Sequence, residues 1–198
     1  MPRLTVTLDG EHLATVPCDG FDVVTARISG TRIDEDFANI GVTGGSYPDE
    51  GESTYLTWVN ELALRPGQQI HVTLLEAGTA SHAGKTLEEL FPEEEFEATP
   101  DKFKPTHEMF DELRARPKLR EGYAFHYHST LGTQCTGRTG PEDHGVAFSV
   151  LWNSHRPECI GISINTYTID SIEQRTSGTD HVREYLQIGQ SATFQIDA

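Results

Sequence analysis

Apolar and polar residues alternate with a period of two through most of the chain, and the alternation breaks in one place. Before residue 78 the stretches RLTVTLDGEHLATV, FDVVTARIS, TYLTWVNELAL and QQIHVTLLE each fit an extended strand. After Glu121 the pattern resumes in YAFHYHST, HGVAFSVLWN, IGISINTYTID, REYLQI and SATFQID. Successive side chains of a strand point to opposite faces, so each stretch buries one face and wets the other. Two such blocks around a non-alternating middle predict a mainly β protein. Its antiparallel sheets pack as a sandwich or as two related β modules. The expected organisation is an N-terminal β module over 1–77, an acidic connector over 78–119 and a C-terminal β module over 120–198, separate or packed as one domain.

Turn chemistry supports this division. Asp9-Gly10 suits a two-residue hairpin, because a type I′ turn needs positive φ at both central positions. Pairing Leu8 with Glu11 then sets Val6 opposite Leu13. TGGSYPDEGES, Thr43 to Ser53, has no periodicity and reads as a long loop. LALRPGQQIHV and LQIGQSATF echo each other, with aliphatic residues before a Gly-Gln turn and alternation after it. Duplicated β modules would leave such an echo, but turns of this kind are common between strands, so coincidence is the simpler account. In the connector, Thr86 and Glu89 form a capping box that predicts a short helix from Leu87 to Phe91. PEEEFEATPDKFKP follows as an exposed stretch. THEMFDELRAR predicts a second helix, capped by Thr106 and ended by Pro117, with Phe110 and Leu113 near one face.

Composition narrows the function classes. Against 15 basic residues stand 31 acidic ones, a net charge of −16. That sign opposes nucleic acid and anionic membranes, and it speeds encounter with a basic partner. Cys18, Cys135 and Cys159 are odd in number and without a CxxC, which argues against a disulfide scaffold or zinc ribbon. The N-terminus enters a strand pattern directly, and no apolar run approaches about 18 residues. A soluble cytoplasmic protein is expected.

The sharpest chemical motif is YAFHYHS. As a strand it places Tyr123, Phe125 and Tyr127 on a core face and His126 and His128 on the opposite one. Two imidazoles two residues apart can hold one divalent metal if another strand supplies further ligands. His144 is the leading third ligand, with Asp143 and Gln134 behind it. The His-x-His strand resembles the first motif of the cupins and would imply a metal- or small-molecule-binding β-barrel enzyme. It departs from that motif in having Gly122 too close to the pair and no Glu after it. HEMFD, His107 to Asp111, falls short of HExxH by its terminal Asp. No G-x-S-x-G elbow, G-x-G-x-x-G or P-loop occurs, and SGTDHVRE reads as a surface loop.

The run from Glu88 to Asp101 holds seven acids and no base. Aromatic residues interleave with it, which is how interfaces combine anchoring with electrostatic steering. The expected partner-binding residues are Glu88, Glu89, Phe91, Glu93, Glu94, Glu95, Phe96, Glu97, Asp101 and Phe103. The leading expectation is a non-enzymatic protein-binding module without a cofactor, such as an immunity-type or adaptor protein that docks a basic partner. The alternatives are the metal enzyme and a structural subunit of an assembly.

Overall fold

A computed structural model describes residues 1–92 and 105–198. It contains twelve strands and three short helices. The first half of the chain holds β1 (Arg3–Leu8), β2 (Glu11–Pro17), β3 (Val23–Thr31), β4 (Ala38–Ser46), β5 (Thr54–Leu64) and β6 (Gln69–Leu75). Helices α1 (Leu87–Leu90) and α2 (His107–Ala115) lie in the connector. The second half holds β7 (Ala124–Ser129), β8 (Gln134–Arg138), β9 (Gly145–Asn153), β10 (Cys159–Tyr167), α3 (Ile169–Glu173), β11 (Thr179–Gln187) and β12 (Ser191–Asp197).

The strands form two antiparallel six-stranded sheets, as the alternation predicts. Sheet A runs β2-β1-β6-β12-β7-β8 and sheet B runs β11-β10-β9-β3-β4-β5. Both halves of the chain trace one path: a hairpin in sheet A, three strands in sheet B, then a return strand to sheet A. The return strands β6 and β12 pair at the centre of sheet A, and β3 and β9 pair at the centre of sheet B. Their Gly-Gln turns match in detail. Gly67 and Gly189 have φ of +85° and +86°. Arg65 N–H donates to Gln68 Oε1 at 2.9 Å, and Gln187 N–H donates to Gln190 Oε1 at 2.7 Å. The echo in the sequence therefore falls at topologically equivalent places in the two halves of the chain. The modules interleave rather than stand apart, since each sheet takes three strands from each half.

The core lies between the sheets. Phe148 of β9 stacks on Phe194 of β12 across the gap, centroids 4.7 Å apart and planes 4° from parallel. Tyr123, Phe125 and Tyr127 are buried, as are Val146, Phe148, Val150 and Trp152. Asp9 and Gly10 form the expected tight turn, with φ of +52° and +83°. Leu8 pairs with Glu11, but a bulge after Val6 sets Val6 opposite Ala14 instead of Leu13. Thr43–Ser46 belongs to β4 rather than to a loop. Gly44 lies against the Trp58 and Phe21 rings and Gly45 under Tyr47, so the glycines there make room for aromatics.

Helices α1 and α2 form where their caps predict, with Thr86 and Thr106 as N-caps and a complete capping box at Thr86. The strand pattern of IGISINTYTID ends at Tyr167, because Thr168 and Ser171 cap one another and start α3. SGTDHVRE is mostly strand, since β11 begins at Thr179 and pairs with β10. Gly178 permits this approach, as a Cβ there would sit 2.0 Å from the Thr166 carbonyl. Exposed helix α2 docks on α3 through Arg114, which donates to Asp170 at 2.7 Å and also pairs with Glu173 and Asp111. His107 pairs with Glu173 and lies 3.7 Å from Asp111, so the HEMFD face joins an ion-pair cluster.

Candidate functional site

The metal-ligand set expected from the sequence does not assemble. His126 and His128 point outward from β7 in sheet A, where His126 Nδ1 lies 3.2 Å from Thr136 Oγ1 and Gln134 is the cross-strand neighbour of His128. His144 lies at the entry to β9 in sheet B. It is 8% exposed, and its ring is 6.1 Å from that of Tyr167. Burial pushes the His144 pKa below its usual value. Asp143 accepts the Gly140 N–H at 2.6 Å and serves the turn. Among the described residues no group of three His, Cys, Asp or Glu side chains could hold a metal ion.

The cysteines are equally quiet. Burial pushes the Cys18 thiol up to about 12, and burial together with Glu158 raises that of Cys159. Neither is poised as a thiolate.

Three of the ten expected partner-binding residues, Glu88, Glu89 and Phe91, lie among the described residues. Glu88 and Glu89 are exposed on α1, where the backbone N–H of the first turn and the Thr86 hydroxyl hold the Glu88 carboxyl below its usual range. Phe91 caps the same helix. Glu93, Glu94, Glu95, Phe96, Glu97, Asp101 and Phe103 lie outside the described residues.

Phe91 leads to a surface that sequence reasoning missed. With Leu87 and Leu90 it walls a hollow of about 490 Å³ on the outer face of sheet B. A second hollow of about 480 Å³ lies beside it, and Thr25 lines both. Lys85 pairs with Thr57, N–H to carbonyl at 2.9 Å in both directions, and so brings the approach to α1 alongside β5. Much of the floor is made of small side chains, because the outward positions of the central strands include Thr25, Ser149, Gly161, Ser163, Gly41 and Thr43. Large groups stand at its edges and middle. Tyr55, Leu87, Leu151 and Tyr185 are all exposed, and the Arg156 guanidinium lies 5.5 Å from the Tyr185 ring centre.

Among the described residues the lining carries more basic than acidic side chains. Arg27, Arg156 and Arg183 line these hollows, and the acids there are Glu61 and Glu184. Glu184 turns its carboxylate inward, where it accepts from the Tyr127 hydroxyl and from Thr133 Oγ1 at 2.7 Å. Asp180 is 3.0 Å from Arg183. Among the described residues Arg27 makes no hydrogen bond or ion pair, and the Ser149 and Ser163 hydroxyls make no hydrogen bond.

Chemically this face can bind, stack and donate. Among the described residues its serines make no hydrogen bond to an imidazole, the arrangement by which a base activates a serine nucleophile. A faint signal existed in the sequence: VVTARIS sets an arginine at an outward position of a strand, and REYLQI does the same. The adjacency of β3, β9, β10 and β11 could not be read from either. No family model, no curated protein and no solved structure gives a match to this chain.

Proposed function

We propose that the chain is a non-enzymatic protein-binding module whose partner seats on the outer face of sheet B. The observation that carries this reading is the pairing of free donors with exposed anchors. Among the described residues Arg27, Ser149 and Ser163 have no acceptor, while Leu151, Tyr55 and Tyr185 offer apolar and aromatic area beside them. Interfaces concentrate arginine and tyrosine and exclude lysine and acids from their centres. Among the described residues the acids that line this face are Glu61 and Glu184. The −16 field draws a partner with basic groups at its rim, where Glu88 and Glu89 stand. An immunity-type or adaptor role is the form of binding that this charge arrangement favours.

The test compares the two outer faces. Tagged wild-type chain, Leu151→Glu (sheet B) and His126→Glu (sheet A) are used to retain proteins from the native host. The expected result is a protein kept by wild type and His126→Glu but lost by Leu151→Glu, with retention that weakens as salt rises. Equal retention by both variants would overturn the reading.

A further inference from the structure

The centre of this face has an order that the hollows alone do not reveal. Strand register places Arg27 opposite Ser149, Ser149 opposite Ser163, and Ser163 opposite Arg183. The four side chains therefore form one straight row across β3, β9, β10 and β11, all on the outward face. Neighbouring strands lie about 4.8 Å apart, so the two arginine backbones are roughly 14 Å apart with the serines between them. Arginine side chains are long enough to reach inward from both ends, and serine side chains are too short to stand in their way.

We propose that this row binds a phosphoryl-type oxyanion, a tetrahedral group with two negative charges. Guanidinium presents its N–H donors as a rigid fork that matches such oxygens two at a time. Two forks and two hydroxyls can serve every oxygen of a tetrahedral group, whereas a carboxylate is satisfied by one fork. The donors are available: Arg27 and both hydroxyls have no acceptor among the described residues. Arg183 is held by Asp180 at 3.0 Å, and Asp180 is the one acid bonded to the row among the described residues. An incoming anion draws Arg183 off Asp180 and onto the row. In a molecule of charge −16 an unspecific anion is repelled, so binding here depends on the forks rather than on the long-range field. This inference takes its location from the docking face proposed above and gives that face a chemical target, carried by the partner or free in solution.

The probe is inorganic phosphate, titrated at constant ionic strength and followed by amide and arginine Nε–H shifts, with chloride as the control. The expected result is saturable shifts confined to residues around Arg27, Ser149, Ser163 and Arg183. Arg27→Ala and Arg183→Ala should each weaken binding about tenfold or more, as loss of a charge-assisted bond does. Arg27→Lys should recover only part of the loss, and Asp180→Asn should tighten binding. Shifts that do not saturate, that chloride reproduces, or that persist in Arg27→Ala would overturn the proposal. A second arm treats the captured partner with phosphatase. Loss of capture places the phosphoryl group on the partner, and unchanged capture assigns the site to free phosphate. If phosphate fails to bind while Leu151→Glu still releases the partner, the oxyanion site falls and the docking face stands. If phosphate binds the row while Leu151→Glu retains the partner, the docking face falls and the oxyanion site stands.

Discussion

The outer faces of sheets A and B are built on similar ladders, yet their strands treat polar atoms differently. Across β1, β2, β6 and β12 of sheet A the side chains bond one another. Thr15 Oγ1 is 2.8 Å from His12 Nε2 and 3.1 Å from Thr5 Oγ1. His71 lies between Thr193 at 2.9 Å and Thr73 at 3.1 Å. Gln69 donates to Gln195, which donates in turn to Asp197. On sheet B, Thr25 bonds Thr43 and Ser29 bonds Asn39, but the central row from Arg27 to Ser163 is left open. A sheet face that meets only water can complete its own network. A face that leaves donors open beside exposed aromatic groups has room for another molecule to complete it, which is the basis of the docking proposal.

The comparison is broken most completely by removing what both faces share. Phe194→Ala deletes the ring that stacks on Phe148 between the sheets and should cost about 3–5 kcal/mol in urea unfolding. Both outer faces would be lost together.

A smaller effect is expected under the sheet B face. Tyr127→Phe takes the hydroxyl from the Glu184 carboxylate and should cost about 1–3 kcal/mol by the same measurement. Thr133 remains as a donor to that carboxylate, which favours the lower end.

Sheet A should reveal itself through pH. Burial, followed by the nearby charge of His128, lowers the His71 pKa from 6.5, and burial lowers that of His144. The unfolded chain then takes up protons first as pH falls below 6.5. The stability these groups contribute is fully present above that pH and is lost as pH falls through the lowered values. His107 is shifted the other way by Glu173 and Asp111, but it is fully exposed and weakly coupled to stability. The melting temperature should therefore drop between about pH 7 and pH 5. His71→Gln should flatten that drop. An unchanged slope would show that the sheet A network does not resist protonation.

The smallest effect on folding is expected at Arg27, the position on which the proposed site depends most. Arg27→Ala removes an exposed side chain that makes no hydrogen bond or ion pair among the described residues and should alter stability by less than about 0.5 kcal/mol. Its loss of partner and phosphate binding would then be a loss of recognition alone. A large destabilisation would place Arg27 in the structural network instead.

Much of this architecture was legible in the residues. The alternation located ten of the twelve strands and missed β4 and β8, Asp9-Gly10 and the Gly-Gln turns located the reversals, and Thr86 and Thr106 located the helix starts. YAFHYHS was read correctly as to faces, because Phe125 and Tyr127 are buried while His126 and His128 are exposed. The errors came from local readings that tertiary contacts override. The glycines at 44 and 45 look like loop residues until the Trp58, Phe21 and Tyr47 rings are placed against them. Chain ends of strands moved where Thr168 caps a helix and where Gly178 admits a close backbone. The site was less legible still. Alternation says that Arg27, Ser149, Ser163 and Arg183 face outward, but only long-range pairing says that they share one row. His144 looked available for the same reason: nothing near it in sequence announces that Tyr167 covers it.

The interleaving of the two β modules has a consequence for how the chain reaches this state. The central pairs β6–β12 and β3–β9 join strands more than a hundred residues apart in sequence, so neither sheet closes until the second half arrives. Contacts of such sequence separation make folding slow. During synthesis the first module would wait with β3 and β6 as bare edges, each offering a row of unpaired N–H and C=O groups to any passing strand. Strands of the second module are the natural match for those edges, and a second copy of the first module is the nearest competitor.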